Sequence, residues 1–341
     1  MNKVFLIGNG FDLAHELKTS YSDFLLWYIN KTVRLTIDSK STIYNDKLIT
    51  LDSGNYRPSE FDSLNSFHDC LANKTFSFKS KYPFFNKIIR RTTDSNWVDI
   101  EYEYYLTLLA VSTSISRDSI GTIVGVEKFV EKLNNCFDLI KEQLVEYLHT
   151  LKNAKYSDQI AIHFKDELTT HSFNKVLFLV FNYTKTIEQY INSLNINNGQ
   201  VINIHGQLGE DGNPIIFGYG DEMDEYYSKI ESLNINEFLR NMKSFSYLKT
   251  NNYQNLNRFL DDTDFTVSIM GHSCGISDRV LLNSIFNHAH CRRIRVYYYQ
   301  KNNDENDYFE KTLEISRHFP LEHKNKMRNL IVSFQDSKPL L

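Results

Sequence analysis

Lys3-Val4-Phe5-Leu6-Ile7-Gly8-Asn9-Gly10-Phe11-Asp12 stands at the start of the chain, and the reading of the fold turns on it. Its apolar run has the length of a short strand and no polar alternation, which predicts a strand buried on both faces. The run passes into Gly-x-Gly and then into an amphipathic stretch from about Asp12. Strand, tight turn, helix is the opening of a nucleotide-binding α/β unit. Glycines after a buried strand let backbone approach a phosphate, so Gly8, Asn9, Gly10, Phe11 and Asp12 are candidate cofactor-binding residues, with His15 one turn on. The dinucleotide fingerprint is incomplete. Leu13 stands where its third Gly belongs, and Asp38 is poorly placed to be its ribose-binding acid. An ordinary tight βα turn is the competing reading.

Further strands are predicted at 175–181, 200–204, 214–217, 265–270, 294–299 and 328–334. Helices are predicted between several of them, at Thr184–Leu194, Glu237–Thr250, Asp278–His288 and Asn306–Arg317. Apolar strands alternating with helices indicate a parallel sheet covered on both faces. Between the first strand and the second, helical periodicity dominates, most clearly in the spacing of Phe129, Leu133, Phe137, Ile140, Leu144 and Leu148. Residues 36–96 are polar and carry no clear period. The expected architecture is a Rossmann-like α/β core of residues 1–30 and 174–341, interrupted by a mainly helical insertion over 31–173.

Composition removes several classes. At 341 residues, 41% hydrophobic and 23% charged, the chain is globular rather than disordered. Only 13 Gly and 5 Pro argue against collagen-like, linker-like and turn-dense all-β designs. A net charge of −4 disfavours a general nucleic-acid binder. Cys70, Cys136, Cys274 and Cys291 lie far apart, which argues against a disulfide scaffold and a structural zinc site. No segment approaches the ~20 apolar residues of a membrane span, and the first apolar run is too short for a secretory leader. The chain reads as cytoplasmic, with no membrane partner.

Three later segments fall where an α/β sheet presents its carboxyl edge. Asn182, in Phe181-Asn182-Tyr183-Thr184, can orient a water or a ribose hydroxyl because its amide both donates and accepts. It can also simply cap the next helix. His205, before Gly206, can act as a general base near neutral pH, or be a loop histidine bonded to backbone. Gly271-His272-Ser273-Cys274-Gly275-Ile276-Ser277-Asp278 matches the Gly-x-Ser-x-Gly elbow of α/β-hydrolases, with His205-Gly206 as an oxyanion segment. Against that reading, the helix starts late, near Ser277 or Asp278. The acid and histidine that should follow Ser273, such as Asp304 with His318 or His323, fall on or beside a predicted surface helix. His288-x-His290-Cys291 suits a helix C-terminus better than a metal site. Asp99 and Glu101 beside Trp97 read as a solvated face next to a core aromatic, since acids two apart diverge on a helix.

Together and in order, LIGNGFDLAHELKTSYSDFL at 6–25, NWVDIE at 96–101, FNYT at 181–184, IHG at 204–206, IIFGYGD at 215–221 and GHSCGISD at 271–278 resemble the abortive-infection AbiH family of bacterial phage-defence proteins. Glu16 departs from that family, which usually has Gly after the His. The same segments are more distantly similar to the sirtuin-like NAD-binding fold, especially the sirtuin-like NADase domains of other anti-phage systems. That resemblance implies a phage-defence effector, an NAD glycohydrolase (NADase), that binds NAD and hydrolyses it at the nicotinamide–ribose bond. It implies Gly8, Asn9, Gly10, Phe11 and Asp12, with Gly271, His272, Ser273 and Asp278, as the NAD-binding loops. It implies Asn182 and His205 as catalytic residues, NAD or a related nucleotide as the ligand, and no metal. A homo-oligomer and a phage-derived trigger are the partners it allows. The zinc module of deacetylating sirtuins has no counterpart in four scattered cysteines. Three other readings stand beside it: a non-catalytic nucleotide-binding sensor or interaction module, a Ser273 α/β-hydrolase, and a nucleic-acid-directed effector, which a steep salt-dependent affinity would support.

Overall fold

The computed structural model describes residues 1–54, 59–94, 99–113, 120–170, 172–220 and 222–341. Its strands are β1 (Asn2–Ile7), β2 (Ile43–Asn45), β3 (Ile49–Asp52), β4 (Ser77–Ser80), β5 (Val176–Val180), β6 (Gly199–Asn203), β7 (Phe265–Met270), β8 (Cys291–Tyr298) and β9 (Lys338–Pro339). The chain forms two compact units. One holds Met1–Leu17, Lys152–Asp224 and Met242–Leu341; the other holds Lys18–Leu151 and Glu225–Asn241. These boundaries differ from the 30/31 and 173/174 expected from periodicity. The helix Tyr21–Asp38 is continuous and groups with the second unit, whereas Asp158–Thr170 groups with the first.

The first unit is built on a six-stranded sheet of order β6-β5-β1-β7-β8-β9, with every pair parallel. Counted within the sheet this is 3-2-1-4-5-6, the order of doubly wound dinucleotide-binding folds. The strand period of two divides β1 between two cores. Val4 and Leu6 pack with Leu177, Leu179, Val267 and Ile269 on one face. Phe5 and Ile7 pack with Val176, Phe178, Val180 and Met270 on the other. Helices cover both faces, through Leu256, Leu282 and Ile285 on the first and Ile160 and Phe164 on the second. Lys3 belongs to the second face and is buried. Its ammonium donates to Glu167 and, at 2.8 Å, to Ser268 Oγ, so the charge is paired rather than stranded.

Two predicted strands are absent. Residues 214–217 run as irregular chain. Residues 328–334 begin inside the helix Lys324–Leu330, and only Ile331 then bridges to Ile294 of β8. The outer strand is instead β9, where Pro339 is tolerated because an edge position needs no donor there. The predicted helices shorten to Glu188–Ser193, Arg279–Phe286 and Tyr308–Ser316, and 237–250 breaks into brief helical turns around Lys243–Ser246.

The second unit is helical, as periodicity indicated, with Tyr21–Asp38, Ile100–Thr113 and Ile120–His149 among its helices. Ser20 and Asp23 form a capping box that starts the first of these. The polar stretch left unassigned contributes an antiparallel sheet of order β2-β3-β4. Trp97 lies outside the described residues. Glu101 is not solvated: it is buried and accepts from Tyr21 Oη at 3.1 Å, while Asp99 accepts from the Tyr102 amide at 2.9 Å.

Glu16 adopts φ +60°, a left-handed conformation that explains why Gly suits this position. That conformation costs a residue with a Cβ about 1–2 kcal/mol. Its exposed ion pair with Lys155 offsets about 0–1 kcal/mol of that. Glu16→Gly is therefore expected to hold or raise the melting temperature, and Glu16→Val to lower it. Equal losses from both substitutions would contradict this origin of the preference.

Candidate functional site

In a 3-2-1-4-5-6 sheet the connections diverge between the first and fourth strands, here β1 and β7, and ligands bind outside the carboxyl ends at that point. The loops that leave these two strands meet backbone to backbone. Gly8 N–H donates to Met270 O at 3.2 Å, and Gly10 N–H donates to Gly271 O at 2.7 Å. A Cβ on Gly8 would lie 2.4 Å from His272 Cα; one on Gly271, at φ +75°, would lie 2.0 Å from Phe11 N. This seam gives the glycines a purpose other than the one expected of them. The amides of Gly8, Gly10 and Phe11 are already bonded, to Met270 O, Gly271 O and Gly8 O, and are not free to cradle a pyrophosphate.

Asp12, in the helix Asn9–Ala14 that Gly8 leads into, is buried and has no cation partner among the described residues. Its Oδ2 accepts from Thr184 Oγ1 at 2.7 Å, and its Oδ1 has no hydrogen bond among the described residues. Burial pushes its carboxyl above the usual range, against the opposing influence of Thr184, Thr186 and Asn182. Asn182 follows the end of β5. Its amide nitrogen and oxygen are both enclosed, and neither makes a hydrogen bond among the described residues. Capping, the simpler reading of this residue, is therefore not its use: the next helix starts at Glu188 without a side-chain cap. His15, by contrast, is fully used, between Phe11 O at 2.5 Å and Tyr190 Oη at 2.6 Å.

His205 follows β6 and is not bonded to backbone through its Nε2. That atom lies 3.1 Å from Asp278 Oδ1 and 3.3 Å from Tyr247 Oη. Asp278 also receives Lys243 Nζ at 3.0 Å on Oδ1, and faces His272 Nε2 at 3.7 Å through Oδ2. Burial would raise the Asp278 carboxyl, but Lys243 and His205 outweigh it and hold the group well below the usual range. His272 is pushed down to about 3, chiefly by burial, so it is neutral. Its Nδ1 accepts from the Cys274 amide at 2.9 Å, which places its proton on Nε2, toward Asp278. Phe181 stands between the two histidines, with ring centroids 5.1 Å from His205 and 4.0 Å from His272.

Ser273 is exposed, and its Oγ accepts from the Gly275 amide at 3.4 Å. The histidines that should follow it are engaged elsewhere: His318 Nε2 donates to Cys274 O at 2.7 Å, and His323 Nδ1 meets Asn287 Oδ1 at 3.0 Å. The left-handed non-glycine residue of this loop is Cys274, at φ +56°, not the serine. His288 and His290 pair separately with Asp261 and Asp264, each at 3.1 Å.

Sequence reading missed Lys243 and Tyr247, which sit in a stretch with no pattern to single them out. It quoted IIFGYGD without a role. That segment braces the site: Ile216 N–H donates to His205 O at 2.8 Å and Gly220 N–H to Ser277 O at 3.2 Å, while Tyr219 O accepts from Lys243 N–H at 3.0 Å. Asp221 lies outside the described residues.

The sheet order and the site at its divergence point define a doubly wound α/β protein with a buried Asp–His–Lys cluster at the carboxyl edge. Residues 4–300 match the family described as bacteriophage abortive infection AbiH, and the chain belongs to that family. No curated protein matches it. Among the described residues, no helix is long and apolar enough to cross a membrane.

Two outcomes follow from this geometry. Gly271→Ala should cost about 1–2 kcal/mol for the left-handed conformation and more for the backbone clash, whereas Gly212→Ala, with open space around it, should stay within about 0.5 kcal/mol. Similar melting temperatures for the two would contradict the seam. For Asp12, the folded protein keeps its proton to higher pH than the unfolded chain does. Stability is thus lost as pH rises from the ordinary carboxyl range through the folded value. Asp12→Asn should raise the melting temperature at pH about 8, with the gain fading toward pH about 4. A gain independent of pH would contradict a strained carboxylate.

Proposed function

We propose that this AbiH protein is a phage-defence effector that binds NAD and hydrolyses it at the nicotinamide–ribose bond, on a sirtuin-like version of the doubly wound fold. The observation that carries the reading is the unfilled Asn182 amide beside the unfilled Asp12 Oδ1. Each enclosed polar atom without a partner costs about 1–3 kcal/mol. A ligand that supplies the missing partners recovers that cost. Two acceptors and one donor in one place suit the paired hydroxyls of a ribose. They do not suit a phosphate, which would face the Asp12 carboxyl and find the adjacent loop amides spent.

Hydrolysis at this bond needs little acid catalysis. The C1′–N bond breaks with its electron pair going to the pyridinium nitrogen, so nicotinamide leaves neutral. Positive charge develops on the ribose, a water oxygen bonds to C1′, and the water's proton passes to His205. Asn182 orients the ribose or that water. The His205 cluster lies at the strand ends where this would occur, and its arrangement supports a general base better than it supports activation of Ser273.

The reading is tested with the purified full chain and NAD, following nicotinamide release by chromatography. Release is expected, and Asn182→Ala and His205→Ala should each lower it by about 10²–10⁴-fold. Turnover held within roughly threefold in both variants would remove this mechanism. Binding of NAD without release would favour the sensor reading. Labelling of Ser273 by a fluorophosphonate would favour the hydrolase.

A further inference from the structure

We infer that Asp278 and Lys243 are positioning residues that fix His205 with its proton on Nε2, which makes Nδ1 the atom that accepts a proton. The inference rests on the proposed function only for its catalytic meaning; the proton placement follows from the cluster itself. Asp278 Oδ1 is an acceptor 3.1 Å from His205 Nε2, and the same oxygen receives Lys243 Nζ at 3.0 Å. An ionised carboxylate accepts only, so Nε2 must be the donor. Among the described residues Nδ1 makes no hydrogen bond, and it is not among the fully enclosed polar atoms, so it is the ring nitrogen left open. The side chain of Lys243 is 1% exposed. A buried ammonium 3.0 Å from Asp278 Oδ1 holds that carboxyl in the ionised form, which can only accept. Among the described residues, the other groups seen to face this histidine are neutral: Tyr247 Oη, stacked at a 10° interplanar angle, the Phe181 ring, and His272 across the carboxylate. Backbone bonds from the 214–220 segment hold both ends of the arrangement, through His205 O and through the Lys243 amide.

The test is made on ligand-free full-length protein with ¹⁵N-labelled histidine, by two-bond ¹⁵N–¹H correlation spectra at neutral pH. His205 is assigned by the signals lost in His205→Gln. The expected wild-type result is a proton on Nε2 and a bare Nδ1; the opposite tautomer would overturn the inference without need of any variant. Lys243→Met should weaken the Nε2–H preference, and an unchanged preference would overturn the part given to Lys243. Asp278→Asn should weaken the Nε2–H preference, and an unchanged preference would overturn the part given to Asp278. Protein that shows this tautomer and releases no nicotinamide would defeat the catalytic reading and leave this one standing.

Discussion

Two turns of the first unit touch through their backbones, and the rest of the site depends on that contact. The Gly8–Asp12 loop can lie on the Gly271–Ser273 loop only because Gly8, Gly10 and Gly271 have no Cβ to place there. The contact fixes Asp12 at the end of β1 and His272 at the end of β7. Those strands are the neighbours between which a sheet of this order opens its ligand crevice. Glycines in a strand-to-helix turn are often taken as a phosphate cradle. Here the Gly8 and Gly10 amides are consumed in the contact, so those two are not available to a phosphate.

The side chains of the site divide by charge. On one side, Asp12, Thr184 and Asn182 form a polar group that, among the described residues, has atoms to spare and no cation. On the other, Asp278 gathers Lys243, His205 and His272 around one carboxylate, so the charges there are met. Two buried carboxyls are thus driven in opposite directions, Asp12 up by burial and Asp278 down by Lys243 and the hydrogen bond from His205. Carboxyls set apart in this way are a mark of functional sites, because a fold with only stability to serve would satisfy both.

Much of the first unit could be read from local pattern. β1, β5 and β7 are apolar runs of the right length, and each, like β6, is followed within two residues by a residue type suited to a ligand edge. Asn182, His205 and Asp278 were legible for that reason. Lys243 was not, because its importance comes from the distant segment that brings its backbone to Tyr219. The strand expected at 328–334 failed because an apolar run alone does not distinguish a helix end from a strand. The small β2-β3-β4 sheet was hidden because its strands are short and its residues mixed. Glu101 was misread because helical spacing says which residues share a face, not whether another side chain such as Tyr21 covers it.

The most direct measurement is a crystal structure of the full chain with a non-hydrolysable carbocyclic analogue of NAD. Hydroxyls of the ring that stands in for the nicotinamide ribose should lie within hydrogen-bond distance of Asp12 Oδ1 and of the Asn182 amide, with no phosphate on the Gly8–Asp12 loop. An analogue bound elsewhere, with ordered water filling the Asn182 and Asp12 positions, would contradict the assignment of this crevice to a ribose.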